Sequence, residues 1–292
     1  MRRRSYAMPR WPSVLAALAA GFFLVQPACL FPVQTASAES LDLPWAGKPD
    51  FTARQVTTLL FKARPGDRPD LSRRDLTYLD LAGLDFKSAL LEGSDLYGAD
   101  LTGAMLKGAE LSHARLDRAV LIRADLSGAN LSDATILRPT VYSDQNNDLA
   151  EAPRFSGANL THIRVQADLS GADFRGADLS GAHFDPLEPR AGQGTLVTQT
   201  SNVLKSCDFS GARAKQADFT RAIMTFARFT GADLRDALFV DADLSMVDFS
   251  GADLTGADMT GADLYGAVLA GAKGLDAVKG LEKAVNLDKA RL

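Results

Sequence analysis

The sequence predicts an all-β solenoid, a chain that winds in stacked coils, and three observations predict it. Leu71, Leu76, Leu81, Phe86, Leu91, Leu96, Leu101, Leu106, Leu111, Leu116, Leu121, Leu126, Leu131, Ile136 and Val141 occupy every fifth position without a miss. A small residue stands two places before most of them, as Ala89, Ala99, Ala104, Ala109, Ala114, Ala119, Ala124, Ala129 and Ala134 do. Polar residues, often with Gly, follow, as in Ala99-Asp100-Leu101-Thr102-Gly103 and Ala252-Asp253-Leu254-Thr255-Gly256. A period of five fits neither a helix nor a strand, since an apolar stripe at that spacing would precess around either one. It makes sense only if every unit ends in a change of direction. Gly tolerates the backbone angles of a tight corner. Each unit is therefore one short side and one corner, and a fixed period of this kind decides the architecture.

The repeated A-(D/N)-L-x-x pattern resembles the pentapeptide repeat family. The resemblance covers about residues 69–141, 155–184 and 204–273. It implies a right-handed quadrilateral parallel β-helix, four units to a coil, with the central Leu or Phe on the axis and the small residue against the wall. About 35 units then make about nine coils and, at a strand spacing of about 4.8 Å, a rod roughly 40 Å long.

The elements follow in order. Residues 1–38 read as a signal peptide. Arg2, Arg3, Arg4 and Arg10 form a basic start, Val14 to Val25 is an apolar stretch short for a membrane span, and Ala36-Ser37-Ala38 is an A-x-A cleavage site that puts the mature start at Glu39. Ala28-Cys29 invites a lipoprotein reading, although Gln26 and Pro27 are poor neighbours for one. Residues 39–68 form an N-terminal segment with a short capping helix over 52–63. Thr52 and Gln55 match a capping box, Val56, Leu59 and Leu60 make an apolar face, and Pro65-Gly66 stops the helix. Residues 69–273 are the solenoid, interrupted at 142–154 and 185–203. The beat resumes at Phe155 and slips by one at Leu169. It returns at Leu204 and runs to Leu269, with Ala214 once in the central place, which predicts a thin core there. Phe184 and Leu204 are twenty apart, so 185–203 is either one irregular coil or a bulge. In the bulge case, removing 187–201 leaves a five-residue step. Residues 274–292 drop the beat and read as a C-terminal cap, or as a face for a second copy through Leu275, Val278, Leu281, Val285 and Leu287.

Each unit buries one large apolar side chain, contributing about 1.5–3 kcal/mol, against several kcal/mol of backbone entropy for five residues. One unit alone is unstable, and the coils hold one another by stacking. Capped ends protect the open strand edges.

Chemistry is sparse in this sequence. The formal net charge is −4, from 32 Lys and Arg against 36 Asp and Glu. The signal carries four Arg and no acid, so the mature chain has 28 basic residues against 36 acidic ones. An acidic surface disfavours direct nucleic-acid binding, which works through phosphates. After cleavage the only cysteine is Cys207, which takes the small inward position two before Phe209 and reads as a buried stand-in for Ala. His113, His162 and His183 point outward and share no metal-ligand spacing. Gly192-Gln193-Gly194 lacks the third glycine of a phosphate loop. Asp144-Gln145-Asn146-Asn147-Asp148 imitates the start of a calcium loop, but Leu149 replaces its Gly and Phe155 its bidentate Glu. No enzyme, cofactor or metal is expected.

Residues twenty apart should stack, placing Asp75 under Asp95, Asp80 under Asp100 and Asp233 under Asp253. Like charges directly opposite destabilise, so Asp100→Ala is expected to be neutral or slightly stabilising. The column Asp208, Arg228 and Asp248 mixes sign. Insertions in solenoids map to loops that often bind. The arginines around the first interruption (Arg115, Arg118, Arg123, Arg138, Arg154 and Arg164) can form a basic patch on an acidic rod. The candidate partner-binding residues are Arg118, Arg138, Asp144, Asp148, Arg190 and Thr195. The expected function is an exported, non-enzymatic structural or protein-interaction solenoid, periplasmic or secreted, with a thylakoid lumen as a further setting. Its partner is a protein, and a homodimer through the C-terminal tail is open. The resemblance also implies an alternative, an acidic DNA mimic that binds a type II topoisomerase. The export signal disfavours that reading.

Overall fold

The computed structural model describes residues 50–144, 148–187 and 201–292. The signal peptide, its cleavage site and Cys29 lie outside the described residues, as do Arg190 and Thr195. The fold is built by parallel pairing between residues one coil apart. Asp70 bridges to Leu90, Leu90 to Glu110 and Glu110 to Asn130, and the column continues through Asn159, Asp178, Arg213, Asp233 and Asp253 to Lys273. Three further columns start at Asp75, Asp80 and Asp85. The coil thus has four sides, named here by these first residues. Ten residues stand in the Asp70 column, so the rod has ten coils and spans about 43 Å at ~4.8 Å per coil.

Named strands are few. Among the described residues only β1 (Thr135–Leu137) and β2 (Arg164–Gln166) extend beyond one residue, pairing in parallel with Ile136 opposite Val165. Every other side makes a single bridge, because a side is so short that the corner intervenes before a second pair can form. One unit accounts for all of its backbone donors. Asp100 N–H donates to the coil before, at Leu79 O (2.9 Å), while Leu101 and Gly103 donate to the coil after, at Val120 O (2.9 Å) and Ile122 O (2.7 Å). Ala104 N–H closes the corner on Leu101 O at 2.9 Å. The remaining donor, Thr102 N–H, goes to Asp100 Oδ1 at 2.9 Å. Satisfying every buried N–H is what a folded backbone requires. The third corner residue sits at positive φ, as in a type II turn. Gly103 has φ 63°, and non-glycine residues such as Arg118 (57°) and Phe226 (63°) take the same place elsewhere.

This geometry gives the repeat's Asp a role that surface charge does not reveal. Its carboxylate caps the corner, accepting the N–H two residues on at Asp70, Asp75, Asp80, Asp85 and Asp95 and at later aspartates of the same place, such as Asp208, Asp218 and Asp258. Short acidic and amide side chains make such turns readily. Asp80 does stand beneath Asp100. However, Asp100→Ala removes a corner cap, so the expectation that it is neutral or stabilising is corrected to a loss.

The axis is apolar throughout. Leu71, Leu76, Leu81 and Phe86 in the first coil and Leu254, Met259 and Leu264 in the ninth are fully buried. Beyond the first interruption phenylalanines take over two opposite walls. Phe155, Phe174, Phe209, Phe229 and Phe249 stack face to face at 5.0, 4.7, 4.6 and 5.5 Å, and Phe184, Phe219 and Phe239 stack at 5.1 and 5.3 Å. The two ladders meet edge to face, as Phe219 and Phe229 do at 5.9 Å. Ala214 lies fully buried within this part of the axis.

α1 (Ala53–Lys62) covers the first coil with Val56 and Leu60. Thr52 Oγ1 accepts Gln55 N–H at 3.3 Å, and Thr52 N–H donates to Gln55 Oε1 at 2.7 Å. The tail does something the five-residue beat does not anticipate. Lys273, Lys279, Val285 and Arg291 continue the four columns in steps of six. Gly274, Gly280 and Asn286 adopt left-handed φ of 72°, 66° and 57°, and each opens a 3₁₀ turn beginning at Leu275, Leu281 or Leu287. The tail is therefore the tenth coil itself, wound on hexads, with its leucines packed toward the axis.

Candidate interaction surface

The bridges locate both interruptions. Asp125 pairs with Arg154 and Asn130 with Asn159, twenty-nine residues apart, so the first interruption adds nine residues to a regular coil. It leaves after Val141 at the corner between the Asp80 and Asp85 faces, and Arg154 is already back in its column. Asp168 pairs with Val203 and Asp173 with Asp208, thirty-five apart, so the second adds fifteen. It leaves after His183 and Phe184, between the Asp75 and Asp80 faces, and Val203 has rejoined the wall. The wall therefore steps from His183 to Val203 as a single unit, which excludes the irregular-coil reading. Pairs nineteen apart, such as Arg154 with Asp173, mark the slip by one residue.

Asn202 staples the second insertion shut. It is fully buried, accepts Ala167 N–H at 2.7 Å and donates Nδ2 to the carbonyls of Phe184 (2.7 Å) and Val165 (3.1 Å). Outside it, Arg164 holds Asp185 through both nitrogens, at 2.5 and 3.1 Å. The first insertion folds back on the rod. Asp148 Oδ1 accepts Ala150 N–H at 2.9 Å and starts the turn Leu149–Glu151. The Glu151 carboxylate accepts Ser143 N–H (2.7 Å) and Oγ (2.9 Å), its carbonyl accepts Arg123 N–H (2.7 Å), and Tyr142 donates its hydroxyl to Ser170 O (2.5 Å). Asp148 is thus spent on a cap. Asp144 lies exposed in the same insertion, and residues 145–147 lie outside the described residues. Among the described residues no group of three or more His, Cys, Asp or Glu gathers where one metal ion could be held.

The structure divides the arginine set. Arg115 pairs with Asp95 (2.6 Å), Arg154 with Asp125 (3.0 Å) and Arg164 with Asp185. Arg123 stands at a different corner. Arg118 and Arg138 are exposed on successive coils at the corner between the Asp75 and Asp80 faces, rather than on a flat face, with φ of 57° and 54°. Two tyrosines that the sequence reading passes over continue this corner below them. Arg115 lies over the Tyr97 ring at 4.8 Å and Arg118 at 6.0 Å, and Tyr97 meets Tyr78 edge to face at 5.5 Å. Tyr78 remains 45% exposed, and its ring lies over Gly98, where an added Cβ would stand 2.7 Å away. The corner therefore runs from two tyrosines through two arginines toward the exit of the second insertion. A twenty-residue scan of the corner positions, instead of the charged residues alone, would have found it.

Cys207 is buried, with Sγ 3.1 Å from Leu169 O, and burial pushes its thiol pKa well up. A thiol held protonated in this way is a poor nucleophile. No helix among the described residues is long and apolar enough to cross a membrane.

Comparison with known proteins agrees with the coil. Pentapeptide repeats match in eight copies over residues 70–108, 94–133, 154–185, 203–239 and 232–271. No curated protein sequence matches the chain. Among solved structures, HetL, a pentapeptide repeat protein involved in heterocyst differentiation regulation from the cyanobacterium Nostoc sp. strain PCC 7120, is 24% identical, with a TM-score of 0.41 over 83% of this chain and 95% of its own. QnrB1, a plasmid-mediated fluoroquinolone resistance protein, is 20% identical, with a TM-score of 0.31 over 66% and 89%. Rfr23 from the cyanobacterium Cyanothece 51142 is 21% identical, with a TM-score of 0.22 over 42% and 90%.

Proposed function

The chain belongs to the pentapeptide repeat family, whose members form right-handed β-helices, and on that premise we propose that it is a non-enzymatic interaction rod, exported from the cytoplasm, that binds an acidic protein surface. One observation carries the reading. In a chain of net negative charge, exposed Arg118 and Arg138 stand on successive coils of one corner above Tyr97 and Tyr78, two coils short of the exit of the second insertion. Arginine and tyrosine together supply charge, planar donors and rigid apolar area, the residue types that dominate binding hot spots. The wall supplies rigidity, since each corner is fixed by bonds to the coils on both sides.

The test has two arms. Fractionation of the host reads the location, with Glu39 expected as the new N-terminus. Capture from that compartment compares the native chain with the double variant Arg118→Glu/Arg138→Glu. The variant should stay folded and lose the partner, and a folded variant that keeps it refutes the assignment. End-to-end pairing of two chains through the last coil, whose inward leucines remain partly exposed, belongs to the same reading and is measured by sedimentation.

The DNA-mimic alternative needs long runs of negative charge. Against it, no column of bridging residues holds three acids in succession. Asp75 and Asp95 are followed by Arg115, Asp80 and Asp100 by Val120, and Asp233 and Asp253 by Lys273. The carboxylates are also engaged in capping corners.

A further inference from the structure

A second surface lies three to five coils further along, at the corner between the Asp80 and Asp85 faces. Phe226 and Met246 stand there on successive coils, 62% and 41% exposed, both at the positive-φ corner place, with φ of 63° and 61°. Glycine holds this place in about half of the units and polar or charged residues in nearly all the rest, and a bulky apolar side chain is out of keeping both with the backbone and with water. Beside this ridge runs a column of alternating charge, Asp208, Arg228 and Asp248, and the two together line an open groove.

We propose that this edge pairs with the same edge of a second copy of the chain, antiparallel, about a two-fold axis passing between the Phe226 coil and the Met246 coil. The charge pattern selects both the occupant and the register. A two-fold contact is self-complementary, each residue meeting its counterpart's partner. With the axis between these coils, Phe226 faces Met246 of the other copy, and Met246 faces Phe226, a sulfur–aromatic contact made twice. Arg228 faces Asp248 and Asp248 faces Arg228, again twice. One coil further out, Lys205 comes opposite the ring of Tyr265, which is 53% exposed and stands one residue before the positive-φ place that Gly266 holds there, and Asp208 comes opposite Val268. No like charges meet among these residues. Moving the axis by half a step onto the Phe226 coil sets Arg228 against Arg228 and Asp208 against Asp248, which like-charge repulsion forbids. A parallel arrangement about an axis along the ridge sets Phe226 against Phe226 and Met246 against Met246 but turns the charged column away from its counterpart, so the charges go unpaired. In the single chain the ion pair of Arg228 is the long one to Asp208, at 3.5 Å, and 61% of its side chain is exposed, so it has room for a closer partner.

Sedimentation of the purified chain over a concentration series tests this. The native chain should dimerise. Arg228→Asp should raise the dissociation constant by about tenfold or more, since close charge pairs at interfaces carry couplings of that order. Asp248→Arg should do the same. The double variant Arg228→Asp/Asp248→Arg should return to within a few-fold of native, because the pair is rebuilt with its signs exchanged. Phe226→Ser alters an exposed corner, leaves the coil intact by circular dichroism, and should abolish the dimer. A chain that stays monomeric at about 100 μM overturns the proposal. So does a dimer indifferent to the single reversals or not restored by the double one. Such a dimer, if lost on Leu281→Asp, is the end-to-end contact of the last coil instead.

Discussion

Removing the second insertion is a direct test of how the coils are counted. The bridges Arg164 to His183 and Asp168 to Val203 mean that the rod steps from Phe184 to Leu204 as if they were five residues apart, although the sequence holds fifteen more between them. Deleting 186–200 leaves Asp185, Ser201, Asn202 and Val203 between them, a regular unit. Shortening the step from twenty residues to five returns about 1.2 kcal/mol of loop-closure entropy. Ser201 then takes the positive-φ corner place, costing about 1 kcal/mol for a residue with a Cβ. The deletion alone should therefore be near neutral. With Ser201→Gly added, it should gain about 1 kcal/mol and raise the melting temperature by about 2–4 °C. The choice of ends matters. Deleting 187–201 also removes fifteen residues but carries Pro186 into the corner, where its ring holds φ near −65°, and that variant should be destabilised. Thermal melts by circular dichroism read all of these. If the 186–200 deletion loses the wall after Phe184 and melts well below the native chain, the fifteen-residue count is wrong.

Leu101→Asp puts a carboxylate at a fully buried axial position and should prevent folding. Asp100→Ala should lower stability by about 0.5–1.5 kcal/mol in urea melts, the ordinary worth of one hydrogen bond; a stabilised variant would show that repulsion from Asp80 outweighs the corner cap. Asn202→Ala leaves Ala167 N–H and two carbonyls without their partner and should destabilise by about 1–3 kcal/mol, while Asn202→Asp fails to rescue because it cannot donate to Phe184 and Val165. Stability should also fall in acid. Arg235 holds Asp233 below the usual carboxylate range, and the Thr255 and Thr260 hydroxyls with their N–H groups do the same for Asp253 and Asp258. Lowered folded-state pKa values mean that this stability is complete above the unfolded value near about 4 and is lost as pH falls through the folded values below it. A melting temperature flat from pH 5 down to pH 2 would contradict it.

Leu101 is assignable to the axis and Asp100 to the surface from the sequence alone, because burial is periodic and every unit repeats the same demand on five consecutive residues. The helix over Thr52 and Gln55 is legible for a similar reason, since a capping box is made by residues three apart. The interruptions are also visible as lost beats. What they do to the rod is not, because the lost beat at 185–203 reads equally as one more coil or none. Only the pairing of Asp168 with Val203 decides it, and those bonds join residues thirty-five apart. The tail shows the same limit from the other side. Its Leu275, Leu281 and Leu287 keep a six-residue beat, yet nothing local says that a hexad closed by a 3₁₀ turn can stack on a pentad wall; that depends on Lys273, Lys279, Val285 and Arg291 meeting the coil beneath. The candidate surfaces depend still more on tertiary structure. Arg118 with Tyr97, and Phe226 with Met246, are one coil apart in sequence, and they become neighbours only because the wall brings every twentieth residue within about 5 Å. The sequence by itself determined that the chain coils and which side chains face in. The stacking of the coils decided where each break leaves the rod and which outward residues stand side by side, because hydrogen bonds between coils, and not the five-residue unit, set the phase.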